Sequence, residues 1–271
     1  MSGWTKAHQS IRDELVGKVG TRVLVVEGED DKAFITSLLD KRNPGEWTKQ
    51  WAIGVAEGKQ NLLRILTEEP TWRGVVDRDE WSDAAAAKAK LLHSSLFVLP
   101  RFCMENYFIE PGELWAALPP EQQARIGVGE ANLKTALAAN LAAWLRHGAL
   151  WHAVNPLWDG LRAIGFKDKL LKLETAQDDA KIRNTLKGWH DHLEPSAIFA
   201  EFQENLTTAH SARPELQYRK WIHGKRFFSQ EVVPVLNQYL GQAKTDQWMI
   251  NLRQSLPLPT DLEPLWTEMG L

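Results

Sequence analysis

Short apolar runs alternate with segments of helical spacing along the first hundred residues. The run Arg22-Val23-Leu24-Val25-Val26 is almost continuously β-branched, which is typical of a strand buried on both faces of a parallel sheet. In residues 31–39 the apolar positions recur three and four residues apart, which predicts a helix. The predicted strands comprise residues 22–26, 51–55, 74–76 and 96–99, and the predicted helices comprise residues 5–18, 31–39, 59–67 and 83–92. Because helices separate the strands, the sequence predicts an α/β, Rossmann-like fold with a mostly parallel sheet flanked by helices.

Helical spacing continues beyond this alternating region. Residues 113–212 are rich in Ala, Leu, Lys and Glu and have few β-branched runs, which predicts several helices. From residue 215 onwards the chain is first basic and aromatic, then helical, then rich in proline. We therefore expect an α/β core over residues 1–110, a helical lobe or insertion over 111–214, and a C-terminal segment over 215–271 that returns to the core.

Composition and charge narrow the class of protein. The chain has 271 residues, of which 44% are hydrophobic and 25% are charged, as in ordinary globular proteins. The single cysteine, Cys103, excludes an internal disulfide, and no apolar run approaches the roughly 18 residues of a membrane-spanning helix. The first residues also lack the pattern of a signal peptide. We therefore expect a cytoplasmic protein that does not bind membranes.

The overall charge argues against a protein that binds nucleic acid by a general positive charge. The formal net charge is −3 and the isoelectric point is about 6.3. Nucleic-acid binding would therefore need a local basic patch, a metal ion or a partner. The chain also has no Gly-Lys-Ser phosphate-binding loop, so a partner would supply any ATPase activity.

Acidic residues follow three of the predicted strands. Glu27 ends the first strand and residues 29–31 open the next helix, whereas Asp77 and Asp79 follow the third strand and Glu105 follows the fourth. Ligands of an open parallel sheet bind at the carboxyl ends of its strands, so we expect these carboxylates to converge. Carboxylates at this density raise one another's pKa unless cations lie between them. Clustered oxygen ligands favour Mg²⁺ or Mn²⁺. Two such ions about 4 Å apart can stabilise the attacking oxygen and the leaving oxygen when a phosphodiester bond is cleaved.

Each group of acids also has a purely structural explanation. Residues 29–31 would oppose the positive end of a helix dipole. An extended chain would point Asp77 and Asp79 to the same side, but they would also serve to cap the next helix. Glu105 alone is also explained as a surface residue or a hydrogen-bond acceptor. The joint occurrence of these acids is what favours a metal site.

Basic and aromatic residues are interleaved in residues 213–228. Such a mixture suits contact with phosphates and stacking on unpaired bases, which makes Arg219, Lys220 and Arg226 candidate nucleic-acid-binding residues. A buried aromatic helix face with a charged rim is the alternative for this segment. Lys225, considered alone, is also explained as a solvated surface lysine.

Several motifs together resemble a known family. The chain resembles the TOPRIM fold of topoisomerases, primases and OLD-family nucleases in two motifs, Val25-Val26-Glu27-Gly28 and Asp77-Arg78-Asp79. Three further features make the resemblance more specific to standalone OLD-like TOPRIM nucleases. They are Asp31, Met104-Glu105-Asn106-Tyr107 and His223-Gly224-Lys225. Among these nucleases, the chain resembles the TOPRIM effector subunits of PARIS anti-phage defence systems. The resemblance covers residues 22–110 and, more loosely, residues 218–240.

The resemblance implies a metal-dependent endonuclease that cleaves RNA, such as tRNA, or DNA. The ligands of two Mg²⁺ or Mn²⁺ ions would be Glu27, Asp31, Asp77, Asp79 and Glu105. Glu27 would also be the general base, and Lys225 would neutralise charge on the scissile phosphate. The resemblance further implies a homodimer, control by an ABC- or AAA-type ATPase partner, and toxicity that stops infection. The alternative is a catalytically silent TOPRIM-like module that binds a partner ATPase or nucleic acid.

Overall fold

The computed structural model describes residues 3–15, 21–166 and 172–271. The strands are β1 (Arg22–Val26), β2 (Trp51–Val55), β3 (Arg73–Val76) and β4 (Leu96–Val98). The helices up to residue 139 are α1 (Gly3–Leu15), α2 (Glu29–Arg42), α3 (Lys59–Glu68), α4 (Asp83–Leu92), α5 (Pro111–Ala117), α6 (Pro120–Gln123) and α7 (Glu130–Ala138). Those that follow are α8 (Leu141–Ala163), α9 (Leu173–Ala176), α10 (Asp179–His192), α11 (Pro195–Ser211), α12 (Pro214–Leu216), α13 (Gly224–Phe227), α14 (Val233–Leu240), α15 (Thr245–Ser255) and α16 (Glu263–Met269). Short 3₁₀ turns comprise Trp47–Lys49, Met104–Tyr107 and Thr260–Leu262, and π-helical turns comprise Gln217–Trp221 and Phe228–Val232.

Within the described residues, four strands form one sheet in the order β2-β1-β3-β4. Strand β1 pairs in parallel with β2 and with β3, and β3 pairs in parallel with β4. The predicted α/β fold with a parallel sheet flanked by helices is therefore confirmed. Because β1 lies between β2 and β3, the strand order reverses beside β1, which is where open parallel sheets bind ligands.

Helices bury the central strand β1 on both faces. Val23 and Val25 belong to one core cluster with Ile11 of α1 and Leu62 of α3. The alternate residues of β1 point to the opposite face, and they are also fully buried. Each fully buried Val or Leu stabilises the fold by about 1.5–3 kcal/mol. The β-branched run therefore anchors the first half of the chain, as its sequence predicts.

The predicted bounds agree closely with the observed ones. Strands β1 and β2 and helix α4 have the predicted limits, while β3 begins one residue earlier and β4 ends one residue earlier. Helix α2 extends beyond the predicted residues 31–39 at both ends, and at its N-terminus Asp31 caps the first turn. Residues 16–18, the predicted end of the first helix, lie outside the described residues.

The chain divides into two compact units. The first comprises Met1–Ala139, Tyr218–Lys220 and Gly224–Leu271, and the second comprises Asn140–Gln217 and Trp221–His223. We expected the helical lobe to begin at residue 111, but residues 111–139 belong to the first unit. The reason is that α5 and α7 pack against each other and against α15 and α14, respectively.

Helices α8 and α11 form the centre of the second unit. Ala149 and Ala153 of α8 pack against Phe202 of α11. Gly148 allows α8 to lie directly against the backbone at Trp221, because a Cβ atom at this glycine would be 1.6 Å from the Trp221 carbonyl oxygen. Among the helices of the described ranges, none combines the length and apolar character needed to cross a membrane.

Candidate functional site

Two carboxylates lie at the sheet edge where the strand order reverses. Glu27 directly follows β1 and Asp77 directly follows β3. The backbone N–H of Asp77 donates to Oε1 of Glu27 over 2.8 Å, and Oδ1 of Asp77 accepts from the backbone N–H of Met104 over 3.2 Å. Asp77 is only 7% exposed. Backbone donors therefore fix both side chains at the carboxyl ends of neighbouring strands.

Asp31 and Glu105 approach this edge from different segments. Oδ2 of Asp31 accepts from the backbone N–H of Gly28 over 2.8 Å, so Asp31 caps the first turn of α2. Glu105 lies in the 3₁₀ turn Met104–Tyr107. Its Oε2 atom is buried without a hydrogen-bond partner among the described residues. An unpartnered buried carboxylate oxygen is costly unless a cation or water binds it.

Asp79 does not follow the extended geometry that its spacing from Asp77 predicts. Its φ is 49°, and its N–H donates to the carbonyl of Phe102 over 2.7 Å. The extended backbone that this expectation assumes is therefore wrong at Asp79, because the chain turns into the left-handed region there. The side chain instead accepts from Nζ of Lys59 over 2.5 Å.

Lys59 is a site residue that sequence reasoning missed. It begins α3, which follows β2, and its ammonium group also lies 4.6 Å from the ring centre of Trp81. A lysine in the first turn of a helix has the unfavourable sign for the helix dipole. That mismatch was the available signal, because a cation placed there needs an acidic partner such as Asp79.

The structure brings all five predicted carboxylates into one electrostatic cluster. Burial raises the pKa of Glu27 to about 7, and the charges of Asp79 and Asp31 act in the same direction. Burial also raises the pKa of Asp31 to about 6, assisted by Glu105. The pKa of Asp77 is well above its usual range because of burial and then the charges of the other four acids. The expected convergence and mutual repulsion are therefore present.

Lys225 of α13 faces the same cluster. Burial by itself lowers the pKa of Lys225, but the charges of Glu105, Asp77 and Asp31 outweigh this and hold the pKa above its ordinary value. The ammonium group is therefore protonated at neutral pH. Although part of the Lys225 side chain is exposed, its charge is coupled to the carboxylates, so it differs from a solvated surface lysine.

A close contact at Gly224 sets the position of Lys225. A Cβ atom at Gly224 would lie 2.2 Å from Oδ1 of Asn106 and 2.8 Å from Sγ of Cys103. Asn106 is fully buried, accepts from the backbone N–H of Cys103 over 3.1 Å, and donates to the carbonyl of Tyr218 over 2.7 Å. Asn106 therefore ties the turn that carries Glu105 to the segment that precedes Lys225.

Replacing Gly224 by alanine is expected to lower the free energy of unfolding by about 1–3 kcal/mol, because the added methyl group overpacks a buried contact. Urea denaturation measures this effect. Gly188→Ala is the matched control, since a Cβ atom there meets nothing within 4 Å and alanine favours the interior of α10. Equal stability of Gly224→Ala and wild type would contradict the tight contact.

Arg101 stabilises the turn behind Glu105. It is 2% exposed, and its guanidinium group donates to Asp261 over 2.8 Å and to Glu113 over 2.9 Å. The same group donates to the carbonyl of Asn106 over 3.1 Å and lies 3.8 Å from the ring centre of Tyr107. Sequence reasoning assigned no role to Arg101, because its partners are scattered along the chain.

The three candidate nucleic-acid-binding residues have different surroundings. Arg219 donates to Oε1 of Glu113 over 2.7 Å, so it belongs to the ion-pair network around that glutamate. Lys220 lies 3.5 Å from Asp83, and Arg226 is exposed. Arg219 and Lys220 are half-buried, so Arg226 is the most exposed of the three.

The aromatic side chains of the same segment are largely buried. Tyr218 is 4% exposed, and Phe227 and Phe228 are no more than 1% exposed. The buried aromatic face, which was the alternative interpretation of residues 213–228, is therefore correct for these three side chains.

The cluster fits a hard divalent cation in the type of its donors. In the part of the chain that the structure describes, no group of three or more His, Cys, Asp or Glu side chains is arranged to hold a metal ion. The donors are nevertheless carboxylate oxygens, which Mg²⁺ and Mn²⁺ prefer. The Oε2 atom of Glu105 is buried and has no hydrogen-bond partner among the described residues. Such an ion would satisfy this oxygen.

Comparisons with known proteins add no family assignment. No protein-family model matches the chain, and no curated protein matches it in sequence. The fold and the site define an α/β protein whose parallel sheet carries a carboxylate cluster and a lysine at the carboxyl ends of its strands.

Proposed function

We propose that this protein is a metal-dependent TOPRIM nuclease that hydrolyses phosphodiester bonds in nucleic acid. The observation that carries this proposal is the convergence of acids from three strand ends with a lysine from a distant segment. The residues concerned are Glu27, Asp31, Asp77, Asp79, Glu105 and Lys225. A phosphodiester is an anion, which such a cluster repels unless cations neutralise it.

The residues of the cluster have distinct tasks under this proposal. The five carboxylates would hold Mg²⁺ or Mn²⁺, which would polarise the phosphodiester and lower the pKa of bound water. Lys225 stays protonated and contributes a point charge to the phosphate. The family resemblance also makes Glu27 the general base. Its Oε1 already accepts from Asp77, so Oε2 would take the proton.

The finer parts of the proposal rest on the family resemblance. It supports a cytoplasmic toxic effector of anti-phage defence, a homodimer and control by an ATPase partner. It also makes tRNA the first substrate to test.

The direct test incubates the chain with tRNA, single-stranded DNA and duplex DNA in Mg²⁺, in Mn²⁺ and in EDTA. We expect cleavage of at least one substrate with metal only, and a loss of about 100-fold or more in Asp77→Asn, which removes a charge but keeps an acceptor for Met104. Glu29→Gln is the matched control, because Glu29 is an exposed carboxylate in the first turn of α2.

Two results would contradict the proposal. Equal cleavage by wild type and Asp77→Asn would show that the nuclease activity lies elsewhere. Absence of cleavage by wild type, both alone and with the candidate ATPase partner, would favour the catalytically silent module.

A further inference from the structure

A cavity of about 410 Å³ adjoins the carboxylate cluster in the first unit. Glu105 and Lys225 line it, so the cavity shares two side chains with the proposed catalytic site. Its volume lies in the range of small-molecule pockets. A group bound in the cavity would therefore lie next to a phosphate held by Lys225.

The floor of the cavity is aromatic. Phe34, Phe108 and Phe228 line it, and each is no more than 2% exposed. Phe108 packs edge-to-face on Phe34, with ring centres 5.7 Å apart, and on Phe228, with ring centres 6.3 Å apart. Met249 and Ile250 of α15 add further apolar wall. The three phenylalanine rings are packed against one another, so Met249 and Ile250 present the apolar surface that a flat ring would contact.

Polar groups at the cavity match the edge of such a ring. Arg253, Thr245 and Asp246 also line it, which provides donors and acceptors of the kind that pair with the edges of bases. The carboxylates of Asp30, Asp246 and Glu105 disfavour a second phosphate inside the cavity. A neutral ring inside the cavity, with its phosphate beside Lys225, is the arrangement that this charge distribution favours.

We propose that the cavity binds one unstacked nucleobase of the substrate, next to the scissile phosphate. The proposal deepens the proposed function and rests on it. A base inside a continuous duplex is stacked and would have to be flipped out at a cost of a few kcal/mol. The substrate class is therefore single-stranded or looped nucleic acid.

The test measures binding of labelled single-stranded RNA and DNA of about 12 nucleotides. Binding is measured in Ca²⁺ and in EDTA, with an abasic residue introduced at each position in turn. For wild type we expect at least one abasic position to raise Kd about 10-fold, because the missing base no longer buries apolar surface in the cavity. Ile250→Trp fills the cavity from a side chain that is 45% exposed. This variant is expected to bind the parent oligonucleotide about 10-fold more weakly. Its Kd is expected to stay the same when the abasic residue is introduced.

Gln247→Trp is the matched control, because Gln247 is exposed on the same helix and does not line the cavity. It is expected to keep both the affinity and the sensitivity to the abasic position. Three results would overturn the proposal: an abasic scan without effect in wild type, unchanged affinity of Ile250→Trp, or duplex bound as tightly as single strand.

Cleavage of the same oligonucleotides in Mg²⁺ separates this proposal from the proposed function. Base-dependent binding without cleavage, both alone and with the candidate ATPase partner, would support the nucleobase cavity and refute the nuclease. Metal-dependent cleavage that ignores every abasic position would support the nuclease and refute the cavity.

Discussion

Replacing Glu27 by glutamine is expected to stabilise the metal-free protein at pH 8 and to abolish its metal-dependent cleavage. The pKa of Glu27 rises from its ordinary 4.5 to about 7 in the folded protein, chiefly through burial. The folded state therefore binds this proton more tightly than the unfolded chain does. As a result, the free energy of unfolding falls as the pH rises from about 4.5 to 7, and it stays reduced above that range.

The expected gain in stability follows from the size of the pKa shift of Glu27. One pKa unit corresponds to about 1.4 kcal/mol, so Glu27 destabilises the metal-free protein by at most about 3 kcal/mol. Coupling to the neighbouring acids reduces this, and we expect a gain of about 1–3 kcal/mol in Glu27→Gln at pH 8. Glutamine keeps an oxygen that accepts from the backbone N–H of Asp77, so the variant loses the charge but not the hydrogen bond.

Urea denaturation of both proteins between pH 5 and 8 measures this effect. Wild type is expected to lose stability as the pH rises, and Glu27→Gln to lose less of it. Some slope should remain in the variant, because Asp31 has a pKa of about 6 for the same reason. Mg²⁺ should raise the Tm of wild type more than that of the variant. A variant less stable than wild type at pH 8 would show that the Glu27 carboxylate is structural.

The sequence predicted the features that depend on topology alone. The strand Arg22–Val26 was recognisable because a strand buried on both faces needs an unbroken apolar run. Glu27 and Asp77 were recognisable as neighbours because parallel strands end at the same sheet edge. Neither inference needs a side-chain contact, so local pattern was sufficient.

The features that sequence reasoning missed depend on contacts between distant residues. Asn106 bonds to Tyr218, which is 112 positions away, and no local pattern indicates that pairing. The left-handed backbone at Asp79 depends on its N–H reaching the carbonyl of Phe102. The domain boundary failed for the same reason, since residues 111–139 look helical in either unit and only their packing assigns them to the first.

Replacing Arg101 by methionine is expected to lower the free energy of unfolding by up to about 3–5 kcal/mol, because removal of the buried guanidinium group leaves half-buried carboxylates without compensation. Its guanidinium group lies between Glu113 and Asp261. In the methionine variant, Glu113 would still pair with Arg219, whereas Asp261 would lose its cation. Arg101→Lys should recover part of the loss, since lysine keeps the charge but not the planar fork. Arg42→Met is the control, because the half-buried Arg42 pairs over 2.8 Å with the exposed carboxylate of Glu263, and pairs with an exposed partner contribute about 1 kcal/mol or less.

The same substitution tests whether Arg101 positions Glu105. Arg101 donates to the carbonyl of Asn106, the residue after Glu105, so its loss should release the turn that carries this carboxylate. We therefore expect Arg101→Lys, if it folds, to show a smaller increase in Tm with Mg²⁺ than wild type, while Arg42→Met keeps the full increase. Urea denaturation and thermal unfolding with and without Mg²⁺ measure both effects. A cost for Arg101→Met no greater than that for Arg42→Met would contradict a stabilising role of this network, because two half-buried acids would then tolerate the loss of their shared cation.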